Sequence, residues 1–285
     1  MNLNNGQATV NLDPYFKETL EDEVVKNFLS KFKRWNKIAY PIMNDKSNPY
    51  ISMQDSLVEL VNPYVREAIL DDGCGDGTLT AKLIQKTGKS FNFIVGTDPD
   101  PDILQNVPTT LTEVGFHNKL ALIRTSSMTP SILPNQSVGT IISGLGGVAY
   151  SGRFLEPTSN GSESHIFTGK DALTKCLKER YRILQPSGIL AFSSLVPEPD
   201  FKTIRKETIL SALRKREFEN LIELLLNANR VEKISSFFKK YAQSKLAQYL
   251  KIDEWEKVLN KTGFELLDTD KAYADQGVVL VARKR

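Results

Sequence analysis

The stretch Ile69-Leu-Asp-Asp-Gly-Cys-Gly-Asp-Gly77 decides the fold, because an apolar strand pattern runs directly into three glycines at alternating positions. Glycine reaches backbone conformations that are barred to other residues, and without a side chain it lets a ligand approach the main chain closely. A helical pattern begins at Leu79, and the first turn of a helix offers free backbone N–H groups. The stretch therefore predicts a ligand-binding turn between a strand and a helix.

The spacing of this turn distinguishes between two kinds of nucleotide ligand. Thr78 stands where a dinucleotide-binding Gly-x-Gly-x-x-Gly turn has its third glycine. The glycines at 73, 75 and 77 form Gly-x-Gly-x-Gly instead. This spacing argues against NAD as the ligand.

Outward from the turn, short apolar runs alternate with helical patterns along the chain. The predicted strands are Ala68–Asp71, Phe93–Thr97, Leu120–Arg124, Val138–Ile142, Ile189–Phe192, Phe264–Asp268 and Gly277–Ala282. The clearest helical patterns are Leu79–Lys86, Asp171–Leu184 and Asp253–Asn260. This rhythm predicts a mainly parallel sheet with right-handed crossovers, in which ligands bind at the carboxyl ends of the strands.

Composition limits the class of protein. Of 285 residues, 40% are apolar and 25% are charged, as in ordinary globular proteins, and a net charge of +3 does not indicate nucleic-acid binding. No apolar run is long enough to span a bilayer, and the first residues lack a signal-peptide pattern. Cys74 and Cys176 lie far apart, and the two histidines suggest no metal site. We therefore expect a cytoplasmic protein without membrane insertion or a bound metal.

The segment from Asp71 to Gly77 resembles the first motif of the class I S-adenosylmethionine-dependent methyltransferases. Later stretches resemble the same family in the same order, over roughly residues 53 to 285 apart from a basic insertion. They are Gly96–Asp100, Ser126–Met128, Leu133–Ser143, Leu184–Leu190 and Trp255–Phe264. The resemblance implies an α/β fold, a Rossmann-like seven-stranded, mainly parallel sheet with helices on both faces and a helical cap. It also implies a methyltransferase that uses S-adenosyl-L-methionine.

The resemblance also implies which residues bind the cofactor. Asp98 takes the place of the acid that accepts hydrogen bonds from both ribose hydroxyls. The full implied set is Asp71, Gly73, Cys74, Gly75, Gly77, Asp98, Pro99, Ser126, Ser127, Met128 and Ser143. Three positions depart from the family pattern: Asp72 replaces an apolar residue, Ser126 replaces an acid near the adenine, and Gly139 replaces an aspartate.

Methyl transfer mainly requires that the nucleophile and the methyl group be aligned and shielded from water, so the family has no invariant catalytic residue. By position, the candidate acceptor-binding residues are Tyr50, Gly146, Tyr150 and Arg153, and the candidate catalytic residues are His165 and Tyr150. His165 lies in a polar stretch predicted as a long loop, Glu156–Lys170, where it could also be an ordinary exposed histidine. Tyr150 could also be a pocket wall. In the family that the chain resembles, an Asn/Asp-Pro-Pro-Tyr sequence marks methylation of exocyclic amino groups of bases or glutamine, and its absence here argues against those acceptors.

The sequence divides into three parts. Residues 1–52 are predicted to form an N-terminal helical lid with aromatic residues such as Phe28, Phe32 and Trp35, for which packing of a leading helix is the alternative. Residues 53–196 and 252–285 are predicted to form the S-adenosylmethionine-binding core that the resemblance implies. Residues 197–251, rich in Lys and Arg, are predicted to form a helical cap insertion whose aromatic residues could line an acceptor pocket: Phe218, Phe237, Phe238, Tyr241 and Tyr249.

Three functions stay open at this point. The favoured one is methylation of a small-molecule acceptor at oxygen, nitrogen or carbon, in specialised metabolism for example, with a closed pocket under the cap. An RNA or protein methyltransferase would instead present an open groove beside basic helices, and the modest net charge speaks against it. The third is a non-catalytic S-adenosylmethionine-binding protein, since fold alone does not imply turnover. The sequence indicates no oligomeric state.

Overall fold

A computed structural model describes residues 10–31, 33, 47–157, 164–219 and 246–285, together with isolated positions between 220 and 245. The strands are β1 (Val10–Leu12), β2 (Ile69–Asp72), β3 (Phe93–Asp98), β4 (Lys119–Arg124), β5 (Val138–Ser143), β6 (Arg153–Pro157), β7 (Ser164–Thr168), β8 (Leu184–Leu195), β9 (Phe264–Ala272) and β10 (Gly277–Lys284). The helices are α1 (Pro14–Thr19), α2 (Asn48–Val61), α3 (Thr78–Thr87), α4 (Pro101–Leu104), α5 (Val107–Glu113), α6 (Gly169–Ile183), α7 (Phe201–Arg214) and α8 (Ile252–Lys261).

The main sheet has eight strands in the order β1-β4-β3-β2-β5-β8-β10-β9. Every pairing is parallel except those of β10, which runs antiparallel to both β8 and β9. The order reverses between β2 and β5, so the carboxyl ends of these two strands flank a switch point. Ligands bind at such a point in open α/β sheets.

Helices cover both faces of the sheet, as predicted, because successive side chains of each strand point to opposite faces. On one face, Ile69 of β2 packs in a core with Met53 and Leu57 of α2 and Leu83 of α3. On the other face, the neighbouring Leu70 packs in a second core with residues of α6 and α8: Leu173, Leu177, Trp255 and Leu259. The sheet is therefore buried on both sides, which explains why its central strands are continuously apolar.

The sheet has one strand more than predicted. Residues 10–12, placed by the sequence in a helical lid, form β1 and pair in parallel with β4. Asp13 then begins α1: its Oδ1 accepts from the Tyr15 backbone N–H at 2.9 Å, and its Oδ2 accepts from the Thr125 hydroxyl at 3.0 Å. The N-terminal segment is thus attached to the carboxyl end of β4. A three-residue edge strand is too short to show an alternating pattern in the sequence.

Two other predictions from the sequence were wrong in detail. The stretch predicted as a loop contains the antiparallel hairpin of β6 and β7, in which His165 stands opposite Glu156. β8 begins at Leu184, directly after α6, and not at Ile189. Its register with β5 shifts between Val138 and Thr140, because Pro186 and Ser187, the latter with φ of 57°, bulge out of the ladder.

Parts of the predicted lid and cap lie outside the described residues. These include Phe32, Trp35 and Tyr40 of the lid and Phe237, Phe238 and Tyr241 of the cap. The division into lid, core and cap stays a prediction. Within the described part of the chain, no helix is long and apolar enough to cross a membrane.

Candidate functional site

The Gly73–Gly77 turn lies at the carboxyl end of β2, beside the switch point. The backbone N–H groups of Gly73 and Cys74 both donate to the Thr97 carbonyl at 2.8 Å, which ties the turn to the end of β3. Gly73 has φ of +82°, and a Cβ there would lie 2.8 Å from the backbone nitrogen of Gly147, in the loop after β5. Glycine is required at position 73 both by its conformation and by this close approach.

Asp71 is a buried acid with an unused acceptor. Its Oδ2 accepts from the Thr80 hydroxyl at 2.6 Å, whereas its Oδ1 is buried and has no hydrogen-bond partner among the described residues. The pKa of Asp71 is raised to about 7, chiefly by burial and also by the neighbouring acids Asp72, Asp98 and Asp76, while the Thr80 hydrogen bond lowers it. A buried, unsatisfied carboxylate oxygen is costly, and a bound cation or donor would remove this cost.

Asp98 ends β3 on the other side of the turn. Its Oδ2 accepts from the Gly75 backbone N–H at 3.1 Å and its Oδ1 from the Asp100 N–H at 2.9 Å. Burial raises the pKa of Asp98 to about 7 against the effect of these two hydrogen bonds. Since a carboxylate offers about four acceptor sites, two remain for a ligand such as a vicinal diol.

Asp72, the first departure from the family pattern, has a buried partner that the sequence analysis missed. Arg180 of α6 donates from Nε and Nη2 to Asp72 Oδ2 at 3.0 and 2.7 Å, and both side chains are 5% exposed. Ser127 adds a hydroxyl donor at 3.1 Å. Arg180 follows Leu173 and Leu177 on the core-facing side of its helix, so a charged residue at a core position was the signal that could have identified it.

Other predicted cofactor residues surround the same acids. Ser143 donates its hydroxyl to the Asp72 carbonyl at 2.7 Å, so the end of β5 is joined to the turn. Ser126 accepts from the Met128 N–H at 3.1 Å, and Met128 is buried. The Pro99 carbonyl accepts from Arg124 at 3.2 Å. The loops that follow β2, β3, β4 and β5 thus converge on one region.

Gly139, a further departure, lies at the opposite, amino edge of the sheet. A Cβ at this position would lie 2.9 Å from Cβ of Arg66, so a side chain there would collide with the segment that leads into β2. The missing aspartate is therefore explained by packing, and it leaves the carboxyl edge unaffected.

The predicted acceptor-binding residues separate into two groups. Tyr50 of α2 and Tyr150, which follows β5, lie at the carboxyl edge together with Tyr249 and Tyr273, two residues not predicted as a group with them. Gly146 lies against Gly73. Arg153, by contrast, forms an ion pair with Asp22 of the N-terminal segment.

His165 is exposed on β7 of the hairpin. Its role as a base stays a prediction. Within the described ranges, no three His, Cys, Asp or Glu side chains are grouped so that they could hold a metal ion.

No protein-family model matches the chain, and no curated protein matches it significantly. Solved structures, by contrast, are similar to the chain. A protein described as a methyltransferase, from a complex with the Trm112 methyltransferase activator of Haloferax volcanii, is 13% identical over 89% of this chain and 97% of that chain, with a TM-score of 0.54. An S-adenosylmethionine-dependent methyltransferase from Aquifex aeolicus is 14% identical over 89% and 98%, with a TM-score of 0.50.

A third similar structure, from Bordetella parapertussis, is described as a possible exported protein. It is 15% identical over 82% of this chain and 67% of that chain, with a TM-score of 0.53. At these identities the similarity establishes architecture, and the strand order and switch point agree with it. The chain has the fold of the S-adenosylmethionine-dependent methyltransferases.

Proposed function

We propose that the chain binds S-adenosylmethionine at the Gly73–Gly77 turn and transfers its methyl group to a small molecule. The observation that carries the proposal is the buried Oδ1 of Asp71, an acceptor without a partner among the described residues, next to a glycine turn with Asp98 on the following strand. Bound S-adenosylmethionine supplies a methyl group on a positively charged sulfur, and it also carries an ammonium group. This chemistry suits a region of buried acids.

In this proposal, each part of the turn binds a different group of the cofactor. Asp71 accepts from the ammonium group, Asp98 uses its remaining acceptor sites for the ribose hydroxyls, and the glycines let the ligand lie against the backbone. Ser126, Ser127 and Met128 contribute to the wall around the adenine. The Asp72–Arg180 pair keeps a second acid neutralised, so that the charge available to the ligand comes from Asp71 and Asp98.

The chain's contribution to chemistry is alignment and exclusion of water, which can lower the barrier by about 7–11 kcal/mol. The loop after β5 lies against the turn, so residues on that loop are placed to hold an acceptor close to the methyl group. Tyr50, Tyr249 and Tyr273 are buried, which favours an enclosed site for a small acceptor over an open groove for a macromolecule.

Thermal unfolding tests the proposal. S-adenosylmethionine and S-adenosylhomocysteine at about 100 times Kd should each stabilise the protein by about 2.7 kcal/mol, and NAD should not. Asp98→Ala should abolish the effect. The control is Asp253→Ala, which removes an exposed acid on α8 and should leave it unchanged.

Stabilisation by NAD, or by none of the three in folded protein, would refute the proposal. If the cofactor binds, release of S-adenosylhomocysteine in the presence of candidate small molecules tests turnover, and a protein that binds without any turnover would support the non-catalytic alternative.

A further inference from the structure

Four tyrosines from four separate parts of the chain meet at the carboxyl edge of the sheet. Tyr50 begins α2, Tyr150 follows β5, Tyr249 precedes α8, and Tyr273 lies in the turn between β9 and β10. The rings of Tyr50 and Tyr273 make an edge-to-face contact with centroids 6.3 Å apart, and those of Tyr150 and Tyr249 make another at 6.5 Å. We call these residues the tyrosine cluster.

The phenol groups of the cluster also interact. Burial raises the pKa of Tyr150 well above its usual 10. The neighbours that raise it further are the other members of the cluster, Tyr249, Tyr273 and Tyr50. A phenol in such surroundings stays protonated at neutral pH, so it can donate a hydrogen bond to a ligand but is a poor base.

The cluster borders the surface and the proposed cofactor turn. Tyr50, Tyr249 and Tyr273 are 8%, 8% and 6% exposed, whereas Met53, one turn along α2 from Tyr50, is 0% exposed. Tyr150 is only half-buried. Its position is linked to the turn, because the Tyr150 N–H donates to the Gly147 carbonyl at 3.1 Å and Gly147 lies against Gly73 and Asp72.

We propose that the tyrosine cluster is the acceptor subsite and that it selects an uncharged, planar aromatic molecule. This inference rests on the proposed function, since the acceptor must lie beside the cofactor. An aromatic ligand can pack against an edge-to-face pair of rings in the same geometry, and the phenol groups can form hydrogen bonds with its hydroxyl or amine substituent. A cation would also be attracted to tyrosine faces. However, the rings that contact one another in the cluster belong to phenols, which carry no negative charge to offset the desolvation of a cation.

Binding of 2-naphthol, a fluorescent and uncharged planar probe at neutral pH, tests this inference with S-adenosylhomocysteine present. The comparison probes are decahydro-2-naphthol, which has the hydroxyl but no aromatic ring, and tetramethylammonium. Tyr150→Leu and Tyr249→Leu remove one ring each. Tyr64→Leu is the matched control, since Tyr64 lies in the 3-10 helix Asn62–Tyr64 that leads to the amino end of β2, at the opposite edge.

The expected result is that 2-naphthol binds at least tenfold more tightly than either comparison probe. Each cluster variant should weaken it about tenfold while S-adenosylhomocysteine still stabilises the protein, and Tyr64→Leu should have no effect. Preferential binding of tetramethylammonium, or no 2-naphthol binding in protein that binds S-adenosylhomocysteine, would overturn the inference alone. Cluster-dependent 2-naphthol binding without S-adenosylhomocysteine binding would show an aromatic-binding site but refute the proposed function, and with it the role of the cluster as an acceptor subsite.

Discussion

The two halves of the carboxyl edge are built in different ways. The half formed by β2 and β3 holds Asp71, Asp98 and the glycine turn, and most of its contacts join residues close in sequence or on neighbouring strands. The tyrosine half draws its side chains from four segments that span more than 200 residues. The first half can therefore be recognised in the sequence as a motif, whereas the second forms only when the sheet, α2 and the segment before α8 have assembled.

The halves also differ in electrostatics. The acidic half keeps several carboxylates out of water, and of these Asp72 has a cation, Arg180, bonded to it. The tyrosine half consists of phenol groups, and burial keeps that of Tyr150 neutral. A cationic ligand would therefore stabilise the acidic half by offsetting the cost of its buried carboxylates, while the tyrosine half offers shape and hydrogen bonds. Variants that disturb one half only can test this contrast.

The largest effect is expected when the cation of the acidic half is removed. Arg180→Met would leave Asp72 buried without its partner, which should lower the free energy of unfolding by about 3–5 kcal/mol. Urea unfolding measures this. Lys178→Met, an exposed position on the same helix, should change stability by less than about 0.5 kcal/mol.

Replacing both partners tests whether the lost stability comes from the unpaired charge of Asp72 or from the lost packing of the Arg180 side chain. Asp72→Leu combined with Arg180→Met restores the apolar residue usual in the family and should recover most of the loss. A double variant as unstable as Arg180→Met alone would show that the arginine acts through something other than Asp72.

The next effect concerns pH. Asp71 and Asp98 have pKa values of about 7 in the folded protein against 3.8 in the unfolded chain. Between these values the unfolded chain releases protons that the folded protein retains, so the stability present below pH 4 is lost as pH rises through 7. The loss contributed by each acid is on the order of a few kcal/mol. Asp71→Asn should make the decline from pH 5 to 8 in urea unfolding shallower.

The same linkage predicts the pH dependence of cofactor binding. A cationic ligand favours the ionised acids, so S-adenosylmethionine should bind more tightly at pH 8 than at pH 6, and calorimetric titration would detect the released protons. If wild type and Asp71→Asn have parallel stability profiles, the titration of Asp71 is not the cause of the decline.

A smaller effect on stability distinguishes the cost of a positive φ from the cost of the close contact between the turn and the loop after β5. Gly73 and Gly88 both have positive φ, but only Gly73 has atoms within reach of an added Cβ. Gly73→Ala should therefore cost about 1–3 kcal/mol more than Gly88→Ala, and it should also weaken S-adenosylhomocysteine binding. Equal costs in thermal unfolding would mean that the loop after β5 can move away from the turn.

The sequence predicted correctly where the glycine turn and Asp98 lie in the fold, for physical reasons. The turn at Gly73–Gly77 and the acid at 98 follow strand patterns directly, and parallel strands bring their carboxyl ends together without any further information. The sequence did not predict β1, because three residues at an edge show no periodicity. It did not identify Arg180 either, because the partner of this residue lies 108 residues away. The hairpin of β6 and β7 was taken for a loop because its polar composition hides the strand pattern.

The α/β architecture and the position of the turn follow from the sequence alone, since these depend on local backbone chemistry and on strand order. Which buried groups share a site is visible only in the folded protein: Arg180 neutralises Asp72, Oδ1 of Asp71 lacks a partner among the described residues, and four distant tyrosines meet. Contacts of this kind depend on packing between segments far apart in the chain, and no local pattern records them.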